Sequence, residues 1–224
     1  MPYFYCEKIT ESGDVELSRE ETQHLSKTLR AKIGDKIELI DGKGIKAIAE
    51  VVDLPKNRGN ATCSVLSQEI ITPPKKRIHL FVAPPRSNIF SPLIKQCVEM
   101  GVWSINLIEC DFSVSKPKDK KDAFSKDIIA AAKQSGNVYF PEISALKKFS
   151  QALNDCEFPI VYGAVPVDRG EVGLLPAEGD IALWIGPEGG FSDVELQAIK
   201  DKDATGVCIG DCVLRVETAV IALL

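Results

Sequence analysis

Histidine is almost missing from this sequence: His24 and His79 are the only two among 224 residues. With one histidine on each side of the Pro73-Pro74 pair, neither a Ser-His-Asp set nor a histidine-rich zinc site is expected. No run of ~18 apolar residues occurs, so no membrane-spanning segment is expected. The start, MPYFYCEKIT, has no basic region followed by an apolar stretch, the pattern of a secretory signal. No GxGxxG follows a strand-like run, and neither GxxxxGK[ST] nor GxSxG is present; this disfavours a Rossmann dinucleotide site and sets aside a P-loop and a nucleophile elbow. The seven cysteines are odd in number and scattered. They read as reduced, mostly buried thiols of a cytoplasmic protein rather than a disulfide framework. Cys208 and Cys212 are the one close pair, with no histidine near them. Positive charge is scarce as well, with a net charge of −5. Only residues 75–120 are basic, carrying 8 Lys and Arg against 4 Asp and Glu. Lys75-Lys76-Arg77, Arg86, Lys95 and the Lys116–Lys121 cluster could bind phosphate even on an acidic protein, although a solvated loop is the simpler reading of that last cluster.

What is present centres on Ile181–Glu195. An apolar run, Ile181-Ala182-Leu183-Trp184-Ile185, breaks into Gly186-Pro187-Glu188-Gly189-Gly190. Ser192-Asp193-Val194-Glu195 then has the spacing of a capping box. The pattern reads as buried strand, tight loop and capped helix, the junction at which α/β proteins bind ligands. A glycine-rich structural turn is the other reading, and the pattern alone does not choose between them.

The rest of the chain supports a two-part organisation. Residues 1–70 read as short strands, at Lys36–Ile40, Ile45–Val52 and Ala61–Leu66, closed by turns such as Asp41-Gly42 and suggesting a small barrel. Ser18-Arg19-Glu20-Glu21 reads as a capping box opening a helix to about Arg30, with His24, Leu25 and Leu29 on one face. After the rigid linker Thr72-Pro73-Pro74 the period changes. Strands are expected at Arg77–Ala83, Ser104–Glu109, Pro159–Ala164, Ile181–Ile185 and Gly206–Gly210. Helices are expected at Pro92–Met100 and Asp122–Gln134. That alternation predicts a parallel α/β sheet. Three strands end in small or glycine-bearing loops, Tyr162-Gly163-Ala164, Gly186–Gly190 and Ile209-Gly210-Asp211. Side by side, they would form one backbone-lined cleft suited to a nucleoside.

Gly186-Pro187-Glu188-Gly189-Gly190-Phe191-Ser192-Asp193-x-Glu195, followed by Ile209-Gly210-x-x-Val213-Leu214-Arg215-x-Glu217-Thr218-Ala219, resembles the SPOUT class of RNA methyltransferases. More narrowly it resembles the ribosomal RNA small subunit methyltransferase E family, which acts on uridine N3. His24-Leu25-x-x-x-Leu29-Arg30, Gly34-Asp35, Glu99-Met100-Gly101-Val102, Gln134-Ser135-Gly136 and Pro141-Glu142-Ile143 extend the resemblance along the chain. It implies an α/β protein with an RNA-binding PUA-like β-barrel over 1–72 and a SPOUT trefoil-knotted methyltransferase domain over 73–224. It implies S-adenosyl-L-methionine held by Gly163, Ala164, Ile185, Gly186, Pro187, Glu188, Gly189, Ile209, Gly210, Val213, Leu214 and Arg215. Catalysis would rest on Arg215 as the cation facing a uridine imide anion, with Glu217 or Glu188 accepting the proton. RNA contacts would include His24, Arg30 and Arg86. The partners implied are small-subunit ribosomal RNA and a second copy of the chain, with no metal and no membrane. The sequence departs from the family pattern where Tyr3, Ile89, Phe112, Asn137 and Cys212 stand at positions of Arg or Lys, and Lys133 at that of a glutamate. A non-catalytic or retargeted RNA-binding protein of the same fold is the alternative.

Overall fold

Alternation along Lys36–Ile40 puts Ile37 and Leu39 on one side of the chain, and both are buried, as a half-covered strand requires. The same logic organises the first of two compact units in a computed structural model that describes residues 2–55, 59–115, 121–166 and 179–224. The run Lys116-Pro117-Lys118-Asp119-Lys120 lies outside the described residues. One unit comprises Met1–Pro73 with Ile129–Phe140; the other comprises Pro74–Ile128 with Pro141–Leu224. Residues 129–140, assigned to the second domain on sequence, thus group with the first unit.

The first unit holds β1 (Tyr3–Tyr5), β2 (Gly13–Glu16), β3 (Lys36–Ile40), β4 (Ile45–Asp53) and β5 (Thr62–Ile70) in one sheet of order β1-β3-β4-β5-β2. β1 runs parallel to β3 and the other pairs are antiparallel. Phe4, Leu17, Leu25, Leu39, Ala49, Val51 and Cys63 form its core. The β3–β4 turn is built on Asp41, whose Oδ1 accepts from the backbone N–H of Lys43 at 2.7 Å and of Ile45 at 2.8 Å.

The helix at Ser18 differs from its sequence reading in two ways. Ser18 Oγ caps the N–H of Glu21 at 3.2 Å, but the Glu21 carboxylate does not complete a capping box. It is buried and meets Lys133 Nζ at 2.6 Å instead. The helix α1 (Arg19–Gln23) then opens into a π-helical turn over His24–Thr28, where Leu29 N–H reaches the His24 carbonyl. The wider turn rotates the face: Leu25 stays buried, while Leu29, expected beside it, is 41 % exposed.

The second unit is a parallel sheet. Its strands are β6 (Lys76–Val82), β7 (Ser104–Glu109), β8 (Glu142–Ile143), β9 (Lys147–Lys148), β10 (Ile160–Gly163), β11 (Gly179–Ile185) and β12 (Thr205–Val207). The order is β12-β10-β11-β6-β7-β8, with β9 joining the end of β7. Helices α2 (Ser87–Glu99), α4 (Phe149–Asp155), α5 (Asp193–Lys200) and α6 (Val216–Leu223) lie between strands, and α3 (Lys121–Ser135) runs from this unit into residues grouped with the first. α2 starts five residues before Pro92, with Pro92 inside it. α4, β8 and β9 carry no pattern strong enough to be read beforehand. Trp184 anchors the core, stacked on Phe81 at 4.5 Å and met edge-on by Phe149 at 5.6 Å. No helix of the described residues is long and apolar enough to cross a membrane.

At the amino ends of β6 and β11, Arg77 holds both Asp180 oxygens at 2.7 and 2.8 Å. His79 stacks on Phe158 at 4.1 Å and its Nδ1 lies 2.8 Å from Ser104 Oγ. A serine, a histidine and an aspartate therefore do meet, which the sequence reading did not expect. Asp180 is committed to Arg77, though, and stands 3.6 Å from His79 Nε2, beyond hydrogen-bond length. The trio is structural. Burial lowers the His79 pKa below 6.5, outweighing the opposing pull of Asp180. The unfolded chain therefore takes up a proton near 6.5 that the folded chain resists, and stability is lost as pH falls through that value. Urea unfolding is expected to show decreasing stability from about pH 7 to about pH 5.5, with a smaller decrease in His79→Gln. An equal decrease in both proteins would assign the effect to other groups.

Candidate functional site

The three loops expected to meet do so. β11 pairs with β10 (Tyr162↔Trp184) and β10 with β12 (Gly163↔Val207), so three adjacent parallel strands end together. Their carboxyl ends enclose a cavity of about 350 Å³. Of the residues assigned to the cofactor on sequence, Gly163, Ala164, Ile185, Gly186, Pro187, Glu188, Gly189, Ile209, Val213 and Leu214 line it. Gly210 and Arg215 do not. Tyr162, read as the start of the first loop, lines the cavity too, while Phe191, Leu196, Cys212 and the α6 residues Val216, Ala219 and Leu223, which close the wall, were not assigned to it on sequence. Val216 and Leu223 carried ordinary core patterning, and only tertiary packing turns them toward the cavity.

β12 stops at Val207, not at Gly210 as expected. Among the described residues it is an edge strand with one ladder partner, β10, which ends at Gly163. The freed chain at 208–215 becomes the third loop. Gly210 turns it at a φ of +73°, and its carbonyl accepts the Cys208 thiol at 3.4 Å.

The loop after β11 is shaped by close backbone approach. Gly190 N–H bonds the Pro187 carbonyl at 2.8 Å and Gly190 has a φ of +76°. A Cβ on Gly186 would lie 3.2 Å from the Gly190 carbonyl carbon and from Phe191 N, both backbone. The loop delivers the chain to α5, where the capping box is complete. Ser192 Oγ accepts from Glu195 N–H at 3.3 Å, and Glu195 Oε2 accepts from Ser192 N–H at 2.9 Å. Glu195 is buried, and its other oxygen accepts the Asp111 N–H at 2.9 Å. Ser192 Oγ in turn donates to Asp111 Oδ2 at 2.6 Å. One carboxylate thus ties the glycine loop, the helix start and the turn after β7 together. The Cys110 thiol beside it is pushed far up by burial, with Glu195 adding to the effect.

The charged candidates sit at the edge. Glu188 lines the cavity and is exposed. Arg215 is the N-cap of α6, exposed, with no ion-pair partner among the described residues. Glu217 is half-buried in the first turn of α6, where the helix dipole favours a carboxylate. Neither Arg215 nor Glu217 lines the cavity. Arg86, exposed, caps α2 beyond the carboxyl end of β6 and is not in the lining. His24 and Arg30 belong to the first unit. His24 packs its ring 5.6 Å from Phe4 with Nδ1 3.5 Å from Lys133 Nζ, and Arg30 is exposed at a φ of 52°.

A family model for an RNA methyltransferase domain matches residues 72–224, and one for an RNA methyltransferase PUA domain matches residues 17–62. Ribosomal RNA small subunit methyltransferase E 2 of Borreliella burgdorferi is 31% identical over 211 residues, covering 88% of this chain and 84% of that protein. Ribosomal RNA small subunit methyltransferase E of Synechocystis is 27% identical over 213 residues, covering 92% of this chain and 69% of that protein. Among solved structures, the ribosomal RNA small subunit methyltransferase E of Neisseria gonorrhoeae, bound to S-adenosyl methionine, shares the fold with a TM-score of 0.89. That likeness covers 100% of this chain and 94% of the other at 24% identity. With the domain match spanning 72–224 and the Borreliella relative aligned over most of both chains, this chain belongs to the ribosomal RNA small subunit methyltransferase E family of RNA methyltransferases.

Proposed function

We propose that this protein transfers a methyl group from S-adenosylmethionine to N3 of a uridine in small-subunit ribosomal RNA. The observation that carries the reading is the cavity of about 350 Å³ formed by three adjacent strand ends, a size within the usual range for small-molecule sites. Its walls fit the nucleoside part of such a donor, because backbone is left bare where a side chain would intrude. A Cβ on Gly163 would lie 3.0 Å from Ile185 Cδ1 and 3.3 Å from Leu223 Cδ1, and both of those residues line the cavity. Family membership supports the RNA substrate, and the bound S-adenosyl methionine of the Neisseria protein supports the donor.

When bound, S-adenosylmethionine supplies a methyl group already activated on a sulfonium, so the protein's part is positioning and proton handling. Uridine N3 must lose its proton to act as nucleophile. Arg215, exposed and without an ion-pair partner among the described residues, is the cation for the imide anion. Glu217, in the first turn of α6, or Glu188, on the cavity wall, takes the proton. The first unit, with the PUA match at 17–62, is the RNA-binding part, read as a PUA-like barrel contacting RNA through His24 and Arg30. Arg86 adds an RNA contact from the second unit. The reading includes a trefoil-knotted methyltransferase domain over 73–224, a homodimer and a cytoplasmic location.

Calorimetric titration with S-adenosylmethionine and with S-adenosylhomocysteine is expected to show binding of both. No binding to the folded protein would overturn the reading. Gly163→Val is expected to weaken that binding at least tenfold, on the order of a methyl-sized clash in a filled site. The fold should persist, because the atoms met are flexible side-chain ends in an ordinary strand. Unchanged affinity would move the donor away from β10. Arg215→Ala is expected to keep donor affinity while methyl transfer falls about 10²-fold, the usual effect of removing one charge-stabilising group. Unchanged turnover would remove Arg215 from the mechanism.

A further inference from the structure

Phe112 is the one aromatic among the exposed large hydrophobic side chains of the described residues, at 51 % exposure. It is held in that position. Its turn is closed by Ser113 N–H to the Cys110 carbonyl at 3.1 Å and by Cys110 N–H to Ser113 Oγ at 2.9 Å. Asp111, the residue before it, is fastened twice to the cap of α5, through its N–H to Glu195 and its carboxylate to Ser192 Oγ. A ring that could have been buried is instead presented to solvent on a braced turn.

Its position relates it to the site. A Cβ on Gly189 would fall 3.0 Å from Phe112 Cβ, 3.4 Å from Cγ and 3.5 Å from Cδ2. Gly189 lines the cavity and Phe112 does not, so the ring packs against the loop that forms the cavity wall. The absent side chain at 189 is what makes room for the ring. The polar groups bonded to the turn are the carboxylates of Asp111 and Glu195 and the hydroxyls of Ser113 and Ser192, none of them a cation. An exposed aromatic face on such a turn suits the flat face of a base and not the backbone of a nucleic acid.

We infer that Phe112 is the platform on which a nucleobase of the RNA substrate stacks as the target enters the site. The inference rests on the methyltransferase reading above. Stacking takes over, through the base, part of the hold that a cation would exert on the phosphate, so binding here depends on ring area and less on salt.

The test uses the full-length protein and small ribosomal subunits reconstituted on rRNA transcribed in vitro, which carries no methyl groups. Phe112→Ala and Phe112→Leu are expected to raise KM for the subunits about tenfold, from the loss of one stacked base. Phe112→Tyr and Phe112→Trp should stay within about twofold of wild type, and the Trp variant's added fluorescence should be quenched by the subunits. Affinity for S-adenosylmethionine and the association state should match wild type in all four variants. A Leu variant as good as wild type, an Ala variant with unchanged KM, or an Ala variant that changes the association state would each overturn the stacking role, the last by making Phe112 an interface residue between copies. Wild type that neither binds S-adenosylmethionine nor methylates the subunits would overturn the parent reading and this inference together. Methylation by wild type and by Phe112→Ala alike would overturn this inference alone.

Discussion

The second unit depends on the placement of β11 between β6 and β10. All seven residues of β11 pair with β6, from Gly179↔Lys76 to Ile185↔Val82, while its other edge pairs with β10. Parallel pairing on both edges buries the strand, and Ile181–Ile185 is correspondingly apolar throughout, with Trp184 wholly inaccessible. Because β10, β11 and β12 run the same way, their following loops emerge at one end. A cleft at the carboxyl end of a parallel sheet follows from that geometry. The cavity lies on the β10 side of β11, between the loops that follow β10, β11 and β12, while β6 covers the other edge of the strand.

Glu195 is what keeps the loops in register once they have met. A helix start leaves N–H groups without partners, and a buried carboxylate needs donors. Glu195 satisfies both needs, accepting one N–H from Ser192 and one from Asp111. The same contact braces the turn that carries Phe112, so a residue read from sequence as a helix cap also sets where an exposed ring stands. In the first unit Glu21 does the opposite. It has the sequence position of a cap partner but leaves that role for Lys133, 112 residues away in the chain.

Local patterns were legible where the interaction that creates them is local. Lys36–Ile40 reads as a half-buried strand because alternation and pleat share a period. Ser192-x-x-Glu195 reads as a capping box because both partners lie within one turn. Gly136, at a φ of +76°, ends α3 where expected. The misreadings share a cause. Pro92 passed for a helix start because proline favours the first turn, yet α2 begins at Ser87. Leu29 passed for a core residue because a 3.6-residue period was assumed through a π-helical turn. β12 passed for a longer strand because its apolar character runs past the end of β10, its partner among the described residues.

By itself the sequence determined the α/β class of fold and, through motifs that resemble the family, pointed to ten of the residues that line the cavity. Each of these rests on hydrophobic period, turn chemistry or a motif whose parts are close in the chain. Tertiary structure alone decided that β11 lies inside the sheet, that α6 rather than Gly210 closes the cavity wall, and that Phe112 stands beside Gly189. Those relations join residues tens of positions apart. No local period encodes them, because the free energy that selects them comes from burying whole faces of strands and helices at once.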